Sequence, residues 1–371
     1  MDEAGFLALA RPGLRTLRPY DPGLDLVALR RDCPGLVELG SNENALGCSP
    51  AARAAAQAAL EQVHRYPDPS GGALKSALAG ALGVGSEQLM LGNGSHELLM
   101  MLAQAFAGPG DEVLASRFGF AVYGLAAQAC GARFVQAPAL PAGHAMPLGH
   151  DLDALAAAVG PDTRLLYLAN PNNPTGTWFP RAALEGLLAA LPPRLLVVVD
   201  EAYHEYTTDP ALQSAVGLLP RFPNLVVTRT FSKAHGLAGL RLGYLVAARG
   251  LVAVMERLRE SFNANGPALA AAVAALADTA HLARVRQANA AAREALSAAL
   301  KARGLAVSPS QANFLLVAFG RDAGAIEAGL VARGVVPRPM AGYGLPDCLR
   351  LTVGTPEDNQ RLLQALDEAM A

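Results

Sequence analysis

Leu195-Leu196-Val197-Val198-Val199-Asp200-Glu201-Ala202-Tyr203 sets the reading of the whole chain. Its apolar half shows no alternation, as expected of a strand buried on both faces, and it stops abruptly at two carboxylates. Working outward, short apolar runs at 89–91, 112–115, 133–135, 165–168 and 225–228 read as further strands. Amphipathic runs at 97–106, 121–129, 152–159 and 182–191 read as helices between them. Strand alternating with helix implies an α/β fold, a mostly parallel sheet between helices. After it, helical patterns at 267–278 and 281–303 lead to strands near 313–317 and 349–353. A helix lies between those strands near 322–333, and another follows Pro356. That order predicts a smaller α+β domain. The Pro-rich first forty residues, apart from an apolar run at 36–39, are expected to lie across the body.

The 371 residues suggest about two domains at roughly 150 residues each. With a net charge of -2, nothing is arranged to coat nucleic acid or an anionic membrane, although a small anion needs only a few local cations. Cys33, Cys48, Cys130 and Cys348 form no C-x-x-C pair and read as free thiols of a reducing compartment. The seven histidines show no metal-ligand spacing, so no metal is expected. The start Met1-Asp2-Glu3 lacks a basic-then-apolar signal, and no apolar run has membrane-spanning length, which points to a cytoplasmic protein.

In open parallel sheets, ligands bind beyond the carboxyl ends of the strands. Four apolar runs end in polar groups: Gly92-Asn93-Gly94-Ser95, Asn170-Pro171-Asn172-Asn173-Pro174-Thr175-Gly176, Asp200-Glu201-Ala202-Tyr203, and Thr230-Phe231-Ser232-Lys233. Singly, each has an ordinary explanation. Asn-Pro-Thr-Gly is turn chemistry, a lone Asp or Ser caps a helix, and a lone Lys is usually solvated. Gly92–Gly94 completes no dinucleotide fingerprint. Together, at successive strand ends, they describe one site.

Three of these segments, Asn173-Pro174-Thr175-Gly176, Asp200-Glu201-Ala202-Tyr203 and Thr230-Phe231-Ser232-Lys233 with Gly239-Leu240-Arg241-Leu242-Gly243, resemble the class I/II aminotransferases, pyridoxal-phosphate (PLP) enzymes of fold type I. The resemblance covers essentially the whole chain. It implies that Lys233 carries the cofactor and moves the proton that defines transamination. It implies that Asp200 pairs with the pyridine nitrogen, and that Asn173 and Tyr203 hydrogen-bond the ring oxygen. Arg241, Ser232 and Thr230 would hold the phosphate with the helix opening at Gly94, Ser95 and His96. Phe120 would lie over the ring. The implied catalytic set is Lys233, Asp200 and Tyr203.

Within that family the chain is most similar to histidinol-phosphate aminotransferases. The likeness lies in Arg18-Pro19-Tyr20, Ser41-Asn42-Glu43-Asn44, Arg65-Tyr66-Pro67-Asp68, Val336-Pro337-Arg338 and Leu349-Arg350-Leu351-Thr352-Val353-Gly354. It implies Tyr20, Asn44, Arg338 and Arg350 at the substrate, and Tyr66 at the cofactor phosphate of a second subunit, hence a homodimer. It also implies a histidine-biosynthetic exchange, L-histidinol phosphate with 2-oxoglutarate giving imidazole-acetol phosphate and L-glutamate. Ala45, Cys48, His96, His235 and Pro337 depart from the family's pattern, several of them near the substrate side or the phosphate rim. Two alternatives share the scaffold: an aromatic (Phe/Tyr) aminotransferase, since an apolar pocket separates near-isosteres weakly, and a PLP-dependent decarboxylase of a phosphorylated amino acid. A PLP-binding regulator without catalysis is a third class, and it would not depend on Lys233. The expected division is an N-terminal segment 1–48 joining the small domain, a large PLP-binding domain 49–259, and a small C-terminal domain 260–371.

Overall fold

The structure, a computed structural model, describes residues 2–15, 17 and 23–371. Arg18, Pro19 and Tyr20, and with them the expected substrate role of Tyr20, lie outside the described residues. Among the described residues, β1 (Val37–Glu38) stands apart from a seven-stranded sheet. That sheet is formed by β2 (Leu89–Gly92), β3 (Glu112–Ser116), β4 (Arg133–Ala137), β5 (Thr163–Ala169), β6 (Leu196–Asp200), β7 (Leu225–Thr230) and β8 (Gly243–Ala247). The spatial order is β2-β8-β7-β6-β5-β3-β4. β8 runs antiparallel to β2 and β7, and the remaining pairings are parallel. β8 is not among the strands expected from the sequence, because Gly243-Tyr244-Leu245-Val246-Ala247 follows directly on the polar Lys233–Arg241 loop without a helix to announce it.

Both faces of this sheet are covered. Val197 and Val199 pack into one apolar cluster and Val198 into the other, and Leu225 with Val227 and Val226 divide in the same way. Period-two geometry explains why a run of consecutive valines is needed: each face takes alternate residues, and neither face is wet. The register then places the functional ends. Ala169 lies opposite Asp200, Asp200 opposite Thr228, and Thr230 opposite Gly243.

After the sheet, the helix Gly266–Ala277 packs its small residues against the helices Pro50–Ala59 and Gly72–Leu82. The long helix Thr279–Ala302, started by the Asp278 carboxylate on the His281 N–H, leads to β9 (Ala306–Val307) and β10 (Phe314–Ala318). The strands β11 (Val335–Val336), β12 (Arg338–Pro339) and β13 (Cys348–Thr352) follow. β12-β13-β10-β9 form an antiparallel sheet with its own apolar cluster, and β1 pairs in parallel with β11. The N-terminal segment is thereby stitched to the C-terminal third, where it can reach the ends of β6 and β7. No single helix among the described residues is long and apolar enough to cross a membrane.

Candidate active site

A cavity of about 320 Å³ lies beyond the carboxyl ends of β5, β6 and β7. It is lined by Gly94, Ser95, His96, Phe120, Asn173, Asp200, Tyr203, Thr230, Ser232, Lys233, Arg241, Arg338 and Arg350. Thirteen sequence-predicted residues thus meet in one place.

Asp200 closes the deep end. Its carboxylate accepts from the Thr228 hydroxyl and the Ala202 N–H, each at 3.2 Å, and from the buried Tyr123 hydroxyl at 3.4 Å. Burial pushes its pKa up to about 6, while the Thr228, Ala202 and Tyr123 hydrogen bonds pull the other way. A cationic ring nitrogen placed beside it would favour the ionised form. Behind it, Glu201 and Arg229 form a buried ion pair at 2.7 Å, backed by Ser214 and Glu205. This pair ties the end of β6 to β7. Breaking such a pair leaves an uncompensated charge, at a cost of about 3–5 kcal/mol. Neither Tyr123 nor the Glu201–Arg229 pair is among the residues expected from sequence, since an apolar-run Tyr and a strand Arg carry no local signal.

Lys233 follows β7. Its amine donates to the Ser41 carbonyl at 2.9 Å, and it is buried enough that its pKa falls to about 7, chiefly by desolvation and secondarily through Arg350 and Arg241. A lysine that is partly neutral near pH 7 is a nucleophile and proton carrier in waiting.

At the other end the helix Gly94–Phe106 begins with no side-chain cap, and the Asn93 side-chain amide donates to the Asn263 carbonyl. Its first N–H groups and its positive dipole end point toward the cavity beside Arg241. Gly94 has φ +82, and a Cβ there would lie 2.8 Å from the Arg241 guanidinium. Gly243 likewise has no room for a side chain, since a Cβ would meet the Ser95 nitrogen at 2.5 Å. Both glycines let the helix start, β8 and Arg241 close around a small space. Thr230 donates to Ser232 at 3.0 Å, and Arg241 to Ser232 at 3.4 Å, completing a cup of donors. Burial and Arg241 hold His96 below its ordinary pKa.

The mouth is cationic. Arg350 donates to Asn173 at 2.7 Å and to the Gly40 carbonyl at 2.6 Å, and its guanidinium stacks 5.3 Å from the Phe314 ring. Arg338 also lines the cavity and packs where Gly23 leaves space.

Two expected residues do not join them. Asn44 turns away: its amide donates to the Ala234 carbonyl at 2.8 Å, and it faces a separate apolar cavity beside Leu46 and Tyr206. The cause is Asn42, whose φ of +55 reverses the chain and breaks simple alternation. Asn42 is the residue of that loop that lines the site, with Gly40 and Ser41. Tyr66 is 81% exposed, stacked on Phe262 at 4.4 Å, and does not line this cavity. Of the departures, His235 is buried against Phe231 with its pKa pushed down to about 4, and Pro337 lines a shallow recess behind Arg338.

A family model described as aminotransferase class I and II matches residues 34–366. The chain belongs to the class I and II aminotransferases. This aminotransferase is similar to histidinol-phosphate aminotransferase 2 of Pseudomonas aeruginosa, 46% identical over 372 residues and 99% of each chain. It is equally similar to histidinol-phosphate aminotransferase 1 of Nitrosococcus oceani, 46% identical over 375 residues, 100% of this chain and 99% of that one. Among solved structures, the histidinol-phosphate aminotransferase of Sinorhizobium meliloti in complex with pyridoxal-5'-phosphate matches with a TM-score of 0.88 at 31% identity, covering 97% of each chain. The aminotransferase's own residues fit such a group. The cup of donors suits a phosphate, the buried carboxylate suits a ring nitrogen, and the depressed lysine suits an aldehyde.

Proposed function

We propose that this aminotransferase exchanges an amino group between L-histidinol phosphate and 2-oxoglutarate, giving imidazole-acetol phosphate and L-glutamate, with pyridoxal 5'-phosphate held by the residues above. The observation that carries the cofactor chemistry is the buried Lys233 amine sharing one cavity with the buried Asp200 and the Arg241 cup. Full-length similarity to relatives bearing that substrate's name supports the substrate, together with a mouth formed by Arg338 and Arg350.

When bound, pyridoxal phosphate supplies an aldehyde carbon and a cationic ring that draws electrons from the substrate Cα. Asp200 would keep a proton on the ring nitrogen. Asn173 and Tyr203 would hydrogen-bond the ring oxygen, and Phe120 would lie over the ring. Gly94, Ser95, His96, Thr230, Ser232 and Arg241 would hold the phosphate. Lys233 Nζ would hold the cofactor's aldehyde carbon and would take up and return the proton at the substrate Cα. Arg350, planar and five-donor, holds the glutamate carboxylate in one half-reaction and the phosphate-bearing end in the other. Arg338 assists at the same anion.

We also propose a cytoplasmic homodimer in which Tyr66 of each copy reaches the other's phosphate cup. Leu60, Val63, Tyr66 and Phe262 leave an exposed apolar row on one side of the chain, a surface suited to a second copy. The proposed domains are 49–259 around the main sheet and 260–371 with the segment 1–48.

The test is a half-reaction titration. The yellow holoenzyme is mixed separately with L-histidinol phosphate, L-glutamate, L-phenylalanine and L-tyrosine, and loss of its visible absorbance is followed. Fast loss with the first two and slow loss with the aromatic amino acids is expected. Fast loss with phenylalanine or tyrosine and none with histidinol phosphate would make the aromatic reading correct instead. Carbon dioxide release with no keto acid present would identify a decarboxylase.

A further inference from the structure

Asn42 holds more of the site together than its position in a loop suggests. Its side chain is 1% exposed and its backbone is left-handed, a conformation that Asn tolerates better than most residues. Its amide nitrogen donates to the Tyr203 hydroxyl at 2.9 Å. Its amide oxygen accepts from Thr352 at 3.2 Å, its N–H donates to the same hydroxyl at 3.0 Å, and its carbonyl accepts from Asn313 at 3.1 Å. The two preceding carbonyls, Gly40 and Ser41, face Arg350 and Lys233. One reversed residue therefore fixes, from the N-terminal segment, a tyrosine in the turn after β6 and the carbonyls that meet Arg350 and Lys233.

We infer that Asn42 is a positioning residue for the reaction: by donating into the Tyr203 oxygen it directs that hydroxyl's proton toward the cofactor's ring oxygen. This rests on the pyridoxal phosphate reading above. Asn42→Asp keeps the shape and the left-handed backbone but replaces the donor with an acceptor, so Tyr203 would donate to the loop instead. The ring oxygen would lose a donor and a negative charge would be added nearby. Both effects raise the pH at which the bound cofactor's visible band changes. The other groups facing that position, Asp200, Lys233, Arg241, Arg350, His96 and Glu43, are unaltered by the substitution.

The experiment titrates the visible band of reconstituted wild type, Asn42→Asp, Asn42→Gly, Tyr203→Phe and the Asn42→Gly/Tyr203→Phe pair against pH. The expected result is an upward shift of about one pH unit or more for Asn42→Asp, and a smaller one for Asn42→Gly. Asn42→Gly relieves the backbone, so its apo melting temperature should stay within about 3 °C of wild type, and it reports even if Asn42→Asp folds poorly. On the Tyr203→Phe background, Asn42→Gly should add nothing, as coupling through one hydroxyl requires. Unshifted Asn42 variants beside a shifted Tyr203→Phe would overturn the inference. A wild type that gains no visible band from pyridoxal phosphate would overturn the cofactor reading itself, and the inference with it.

Discussion

Asp200, Tyr203, Lys233 and Arg241 reach the cavity from the ends of neighbouring strands in one sheet, and the strands that deliver them are buried on both sides. Gly40, Asn42, Arg338 and Arg350 reach it from segments far apart in sequence, joined by hydrogen bonds such as Arg350 to the Gly40 carbonyl and Asn42 to Thr352. The floor is built rigid, with ionisable groups whose charge burial disfavours. The rim's Arg350 already donates its two terminal nitrogens to Asn173 and a backbone carbonyl, so an anion arriving at that edge must exchange partners there. In the proposed reaction the floor carries chemistry and the rim carries binding, and substitutions should separate accordingly.

The largest effect expected is Lys233→Ala. In the proposed reaction this removes both the covalent anchor and the proton carrier, so turnover should fall by about 10⁴-fold or more, while the fold stays intact because a group whose protonation burial disfavours has been removed. Single-turnover absorbance and thermal melting measure the two. A variant that still turns over at a tenth of the wild-type rate would break the contrast, because the floor's lysine would then carry no essential chemistry.

Arg350→Lys sharpens the same contrast from the rim. A lysine keeps the charge but loses the fork that spans Asn173 and Gly40. Charge-assisted hydrogen bonds contribute about 1.5–3 kcal/mol, so KM for glutamate and for histidinol phosphate should each rise roughly 10–100-fold with a smaller change in kcat. Arg338→Lys should raise KM less, since Arg338 lies beside Gly23 in a more open recess. If kcat falls and KM holds for Arg350→Lys, the rim takes part in the chemical step and the division between floor and rim is wrong.

The same contrast explains which parts of the site are legible in the sequence. Asp200, Lys233 and Arg241 are legible because a strand end has a strong signal, an unbroken apolar run stopping at polar residues, and because the motif around each is contiguous. Asn42 is masked by Asn44 because the sequence shows two similar residues in one loop, and a single left-handed φ decides which one faces inward. Tyr123 and the Glu201–Arg229 pair are hidden for a different reason. Their roles depend on which strands are neighbours, and β6 and β7 come together only in the sheet. β8 escapes the pattern because it is an antiparallel strand entered directly from a loop, outside the strand-helix alternation that reveals the others.

The smallest effect is a pH dependence that belongs to the floor alone. Lys233 has its pKa lowered from 10.5 to about 7 mainly by burial. Between those values the folded chain has released a proton that the unfolded chain keeps, so apo stability rises with pH through that window and the lysine is least favourable below about 7. Asp200, raised from 3.8 to about 6, works in a separate window: its contribution to stability declines as pH climbs from about 4 to about 6. Attack on an aldehyde needs the neutral amine. Stopped-flow reconstitution of the apo protein with pyridoxal phosphate should therefore speed up about tenfold per pH unit below 7 and level off above it. A rate still climbing through pH 9 would mean that the lysine is solvated in the apo protein. Arg350→Lys, which leaves the amine's burial in place and a cation at the rim, should leave the midpoint near 7, so the floor's titration is measured apart from the rim's binding.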